Sequence, residues 1–179
     1  MTAAALGAAR VWAVDVDAAA VALCSASARA NGLPAVRAVT GVLLDPLPAD
    51  SPLDLVVAVM PQKPSNSAFS ARYAGGADGA DLVCAAIDAA AARLSSGGRL
   101  LVYHHSVAHP ARVEAALARS FEWSTAASRL RCFGAQRYER QAPGMLAHLS
   151  ALAEAGTVDV RIGAAHLVWR SRVIAAVRR

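Results

Sequence analysis

Apolar runs of strand length alternate along this chain with alanine-rich stretches of helix length, and that alternation constrains the fold more than any other feature. Val11–Val14, Leu53–Val59, Arg99–His104 and Leu167–Val177 are rich in β-branched or leucine residues, and the stretches after the first three have helical length and spacing. Two strands separated by ten or more helical residues cannot close as a tight hairpin. They return through crossovers that lay parallel strands side by side with helices on the faces. The chain is therefore expected to be an α/β protein with a mostly parallel sheet, and at 179 residues it suits one domain.

The elements are placed as follows. A helix tail covers residues 2–8, a strand 10–15, a helix 17–31 and a second strand 35–40, after which Pro46, Pro48, Ser51 and Pro52 make a loop. A buried strand covers 53–59, and a long loop runs from Met60 to Gly79, of the kind that is usually functional or mobile. A helix follows over 78–95, with Gly97-Gly98 as its stop signal, and then a strand at 99–104. Pro110 opens a helix to about Ser120, since its missing N–H is harmless there. Strands at 122–133 and 167–177 enclose a helix at 143–155 and a short 158–160 segment, with no repeat and no linker.

Asp15 and Asp17 follow the first strand directly. In open parallel sheets ligands sit beyond the carboxyl ends of strands, and an acid there accepts hydrogen bonds from ribose hydroxyls. An acid also caps the helix that follows it. The two roles are assigned to Asp15 as ligand and Asp17 as cap. Farther on, Val59-Met60-Pro61-Gln62 lead out of a buried strand into a proline-stiffened loop, and Tyr73-Ala74-Gly75-Gly76-Ala77-Asp78-Gly79 supplies glycines that let backbone pass close to a ligand or another segment. His104, His105 and Ser106 lie where a strand ends, with His109 close behind, so a general base or substrate contact and a polar strand end facing solvent are all open readings.

Composition narrows the partners. The net charge is +5 and the cations are almost all arginine, with Lys63 the only lysine. A phosphate-binding surface needs those cations clustered. They gather only diffusely toward the end of the chain, from Arg129 to Arg179. No apolar run approaches the ~18 residues of a membrane span, and the first residues lack the basic start of a signal peptide. The expectation is a soluble, cytoplasmic protein without a membrane partner. Cys24, Cys84 and Cys132 have no paired metal or redox spacing.

Taken in order, VWAVDVD with ANGL, GVLLDPLP, DLVVAVMPQKP, YAGGADG and LSSGGRLLVY resemble the class I S-adenosylmethionine-dependent methyltransferases, within them the small-domain group that includes the release-factor glutamine N5-methyltransferases. The resemblance covers residues 5 to 121. It implies a Rossmann-like sheet, mostly parallel with an antiparallel C-terminal strand, and S-adenosyl-L-methionine as cofactor. It implies cofactor contacts from Asp15, Val16, Val42, Leu43 and Ala58, with Asp15 on the ribose. It also implies that Val59, Met60, Pro61 and Gln62 occupy the family's Asn-Pro-Pro-Tyr position, where the target nitrogen is bound.

In that family Val42 is commonly an acid and Val59 an asparagine, and valine is neither donor nor acceptor. Gln62 is the neighbouring residue with a carboxamide to offer instead. The family's glycine-rich first motif has no counterpart upstream of Arg10, so residues 1–179 are expected to form one methyltransferase-like domain lacking its first strand. Strands 10–15 and 53–59 are then expected either to pair directly or to leave a gap with a cleft, and the unpaired edges to favour self-association.

The functions carried forward are methyl transfer from S-adenosylmethionine to a nitrogen or other nucleophile of a protein, RNA or small molecule, or alternatively a binding domain that keeps the fold without catalysis. A nicotinamide-dependent oxidoreductase is disfavoured, because no tyrosine stands four residues before Lys63.

Overall fold

Gly7 and Asp17 set the beginning of the structure. The first helix, α1, spans only Thr2–Ala5 instead of 2–8, because Gly7 takes φ 96°, a left-handed conformation that ends a helix. The computed structural model describes residues 1–65 and 72–179, so residues 66–71 of the expected Met60–Gly79 loop lie outside the described residues. Strand β1 (Val11–Asp15) leads into α2 (Ala18–Ala30), whose start is marked by the Asp17 side chain accepting the Ala19 N–H at 2.8 Å. Asn31 closes α2, Gly32 turns the chain at φ 61°, and β2 (Val36–Thr40) returns parallel to β1 in the register Val11↔Val36 to Asp15↔Thr40. These elements make up a first compact unit, Met1–Ser51.

The second unit, Pro52–Arg179, holds a five-stranded mixed sheet. Its elements are β3 (Leu53–Ala58), α3 (Asp81–Arg93), β4 (Leu94–His105), α4 (Pro110–Ser120), β5 (Phe121–Gly134), α5 (Ala135–Gln141), α6 (Met145–Glu154), β6 (Val160–Ile162) and β7 (His166–Arg178). The strand order is β3-β4-β7-β5, with β6 also paired to β7. β3 and β4 run parallel, while β7 is antiparallel to β4, β5 and β6, which is the expected antiparallel C-terminal strand.

Helices α3 and α4 bury Val83, Ile87, Val113 and Leu117, and the sheet contributes the buried Leu100, Val102 and Ile174. Each such side chain stabilises the fold by about 1.5–3 kcal/mol over leaving it exposed. A second cluster forms where Trp169 stacks on Phe133 at 4.2 Å between ring centroids, with Tyr138, Met145, Leu149 and Leu167 buried around it.

Several expectations are corrected. Of the two arrangements expected for strands 10–15 and 53–59, direct pairing is not found: among the described residues β1 pairs with β2 and β3 with β4. The strand at 53–59 is not buried on both sides, since Leu55, Val57 and Val59 alternate outward and are exposed. Gly97-Gly98 does not stop the helix. The chain turns extended at Leu94, whose side chain is buried, and the glycines fall inside an irregularity where the register moves from Leu53↔Leu94 to Leu55↔Arg99.

The helix α5 has no counterpart in the sequence reading. Its seven residues are too few to show a period, and it is held by burial of Ala135 and Tyr138 in the aromatic cluster. Among the described residues no helix is long and apolar enough to cross a membrane, and no group of side chains is arranged to hold a metal ion.

Candidate functional site

In the first unit the parallel pairing of β1 and β2 brings Asp15, Val16, Val42 and Leu43 to neighbouring strand ends. The Asp15 carboxylate is exposed, and its Oδ1 accepts the Asp17 N–H at 2.9 Å. That bond orients the carboxylate while leaving acceptor capacity, because two carboxylate oxygens offer about four lone-pair sites. The Asp15 carbonyl accepts the Gly41 N–H at 3.0 Å and ties the two strand ends together. Leu43 takes φ 48°, in the left-handed region that side chains rarely adopt. The side chains of Val16 and Val42 are exposed and apolar.

In the second unit β3 ends at Ala58, which is buried, whereas Val59 is 62% exposed. Gln62 is only 4% exposed, and its carboxamide is used on both sides. Nε2 donates to the Tyr103 carbonyl at 2.7 Å and to the Met60 carbonyl at 3.2 Å, while Oε1 accepts the His105 N–H at 2.8 Å. It is a brace between the Met60-Pro61 turn and the end of β4. Gln62 therefore does not supply the free carboxamide considered from the sequence, and its Nε2 already occupies the Met60 carbonyl.

The glycines of residues 73–79 serve backbone packing in this structure. Lys63 N–H donates to the Tyr73 carbonyl at 3.0 Å, Gly75 N–H to the Lys63 carbonyl at 2.9 Å, and Ser65 N–H to the Gly76 carbonyl at 2.7 Å. A Cβ on Gly75 would lie 2.4 Å from the Gly79 carbonyl oxygen and 2.7 Å from that of Pro61, so only glycine fits.

The two histidines at the end of β4 differ in what they offer. His104 is fully buried; its Nδ1 accepts from Arg172 Nε at 3.1 Å, so Nε2 is the protonated nitrogen that donates to the Ala108 carbonyl at 2.7 Å. Arg172 is held in turn by Glu114 at 2.7 Å. His105 Nδ1 lies 2.8 Å from Ser171 Oγ and accepts from Trp169 Nε1 at 3.3 Å. Burial pushes the pKa of both rings down to about 4, helped at His104 by Arg172 and at His105 by Arg131 and Lys63, so both are neutral at pH 7.

Ser106 is buried and joins three segments. Its N–H donates to the Arg170 carbonyl at 2.8 Å, and its hydroxyl donates to the Asp159 carbonyl and accepts from Arg170 N–H at 3.0 Å. It fills the place on β7 between the part paired with β4 and the part paired with β6. A polar strand end facing solvent is not what the structure shows: His104 and Ser106 are both buried, and hydrogen bonds to Arg172, Ala108, Asp159 and Arg170 satisfy them there. Trp169, Ser171 and Arg172 were absent from the sequence-derived candidates, and their only signal was polar residues inside an otherwise apolar final strand.

No protein-family model matches the chain, and no curated protein matches it. Solved structures do resemble it. The YcgJ protein of Bacillus subtilis superposes with a TM-score of 0.60 at 16% identity, over 96% of this chain and 83% of that one. The 16S rRNA N2 G1207 methyltransferase RsmC of T. thermophilus, solved in complex with AdoMet and guanosine, gives a TM-score of 0.55 at 20% identity, over 98% of this chain. The precorrin-6y C5,15-methyltransferase of Geobacter metallireducens gives 0.50 at 12% identity, over 94% of this chain and 68% of that one. The chain spans 33% of the length of the RsmC chain. At these identities the likeness shows the fold, which is the Rossmann-like α/β fold of methyltransferases.

Proposed function

We propose that this protein is an S-adenosylmethionine-dependent methyltransferase. The observation that carries the reading is the exposed Asp15 carboxylate at the end of a parallel strand, oriented by the Asp17 N–H. That is the acceptor a ribose diol needs. Val16 and Val42, exposed and apolar, are the residues that would lie against an adenine ring, by shape and dispersion instead of a hydrogen bond. Bound S-adenosylmethionine would supply a methyl group on a sulfonium, a leaving group that needs no acid to depart. The protein's contribution is then to position the acceptor and to match its charge.

We assign acceptor positioning to Val59-Met60-Pro61-Gln62. Val59 contributes an apolar surface and Pro61 stiffness. Gln62 holds the turn in place through β4. The acceptor is a nucleophile, nitrogen by the resemblance to the glutamine N5-methyltransferase group, and with no asparagine at Val59 its recognition falls to other side chains at this end of the sheet.

Calorimetric titration with S-adenosylmethionine and S-adenosylhomocysteine tests the cofactor reading. The expected result is saturable binding by the wild-type chain, weakened about 10- to 100-fold in Asp15→Ala, the loss of a charge-assisted hydrogen-bonded pair. The fold should be unchanged, since the carboxylate holds only a local N–H. Absence of binding of either ligand to the wild type overturns the proposal.

A further inference from the structure

We infer that His105 offers its Nε2–H as a fixed hydrogen-bond donor in a cationic, aromatic-walled corner, and that this corner takes an anionic oxygen, carboxylate or phosphate, of the methyl acceptor. The inference rests on the methyl-transfer reading for the word "acceptor" alone; the donor and the corner stand on geometry.

The tautomer follows from the neighbours. An indole N–H can only donate, and Trp169, 5% exposed, directs its Nε1–H at His105 Nδ1. A proton on Nδ1 would face that N–H and leave it buried without an acceptor, a cost of about 1–3 kcal/mol. Nδ1 therefore carries the lone pair, which also takes the Ser171 hydroxyl at 2.8 Å, and the ring proton sits on Nε2. With both donors on Nδ1, no basic nitrogen of His105 is left to remove a proton from an acceptor. What remains is one N–H. Nε2 has no hydrogen-bond partner among the described residues, and His105 is half-buried and not sealed in the core.

Charge and shape around the ring set the ligand class. The charged groups acting on His105 are Lys63, in the turn after β3, and Arg131 on β5, and both are cations. Lys63 Nζ lies 4.9 Å from the Tyr138 ring centroid, and the Tyr103 ring stands edge-on to His105 at 4.8 Å. A neutral N–H donor in the field of two cations selects an oxygen that bears negative charge.

The test is long-range nitrogen–proton correlation spectroscopy on the full chain labelled with 15N-histidine, at pH 7, with inorganic phosphate and with acetate as probes. The proposal expects a protonated Nε2 and bare Nδ1 at His105, and a saturable shift of its resonances with at least one probe. A response to phosphate alone assigns a phosphoryl-bearing acceptor, and a response to acetate alone assigns a carboxylate. Trp169→Phe should populate the Nδ1–H form, and His105→Phe should weaken the responding anion about tenfold or more by calorimetry. A protonated Nδ1 in the wild type, or no saturable shift with either anion, overturns the inference, and neither outcome depends on a variant folding. S-adenosylmethionine binding on the same sample is read separately. Its failure with the His105 result intact sinks the methyl-transfer reading only, and the converse sinks the His105 assignment only.

Discussion

Replacing Gln62 by leucine keeps much of the side-chain volume and removes three hydrogen bonds, to the carbonyls of Tyr103 and Met60 and from the N–H of His105. Leaving a buried backbone group unpaired costs about 1–3 kcal/mol, against about 1 kcal/mol for the net worth of an ordinary bond. The Met60 contact is long at 3.2 Å and contributes least. His105 and Tyr103 are half-buried, so water restores part of the loss. The expected destabilisation is then about 2–4 kcal/mol.

Urea unfolding followed by circular dichroism measures it. With a slope of about 2 kcal/mol per molar, the midpoint should fall by roughly 1–2 M. Val59→Ala, at a side chain 62% exposed in the same turn, is the control and should move stability by less than about 0.5 kcal/mol. If Gln62→Leu matches that control and loses only acceptor turnover, the carboxamide serves the substrate, and the brace argued from its three bonds is refuted.

Stability should also depend on acid through His104. Its folded pKa lies below the unfolded one, about 4 against 6.5, so the unfolded state binds the proton first as pH falls. Stability is complete above pH 6.5, declines between 6.5 and 4 by on the order of 3 kcal/mol, and levels off below; a profile without that slope would count against the buried neutral ring. Gly75→Ala should destabilise by several kcal/mol or displace the 73–79 segment, since its Cβ meets backbone oxygen at 2.4 Å. Gly97→Ala, with open space around it and φ 79°, should cost only about 1–2 kcal/mol of backbone strain, and equal melting-temperature losses for the two would contradict the packing argument. Ser106→Ala removes one donor and one acceptor at the β4–β6 junction and should lower stability by about 1–3 kcal/mol, with faster amide exchange at Arg170, whose N–H it holds.

Much of the secondary structure was legible residue by residue. The strands at 10–15 and 35–40 and the helices at 17–31 and 110–120 match the observed elements to within a residue at each end. Their signals are local: β-branched runs, an aspartate cap, a proline at a helix start. The long β4 and the unforeseen α5 were not legible, because one begins at a buried leucine and the other is a short helix held by distant aromatics. At the candidate site, Asp15 as the exposed carboxylate and Asp17 as the cap were separable from sequence, since each is engaged two residues away in the chain.

The sequence by itself determined the order and spacing of strands and helices, and with them an α/β fold with parallel pairing. It also determined the local geometry at Asp15, because a bond to a residue two places along needs no tertiary contact. Only the tertiary structure decided what Gln62, His104 and His105 do. Each has a partner 41 to 68 residues away on β4 or β7, Tyr103 for Gln62, Arg172 for His104 and Trp169 for His105, and which nitrogen of an imidazole keeps its proton depends on such partners, not on the residue type.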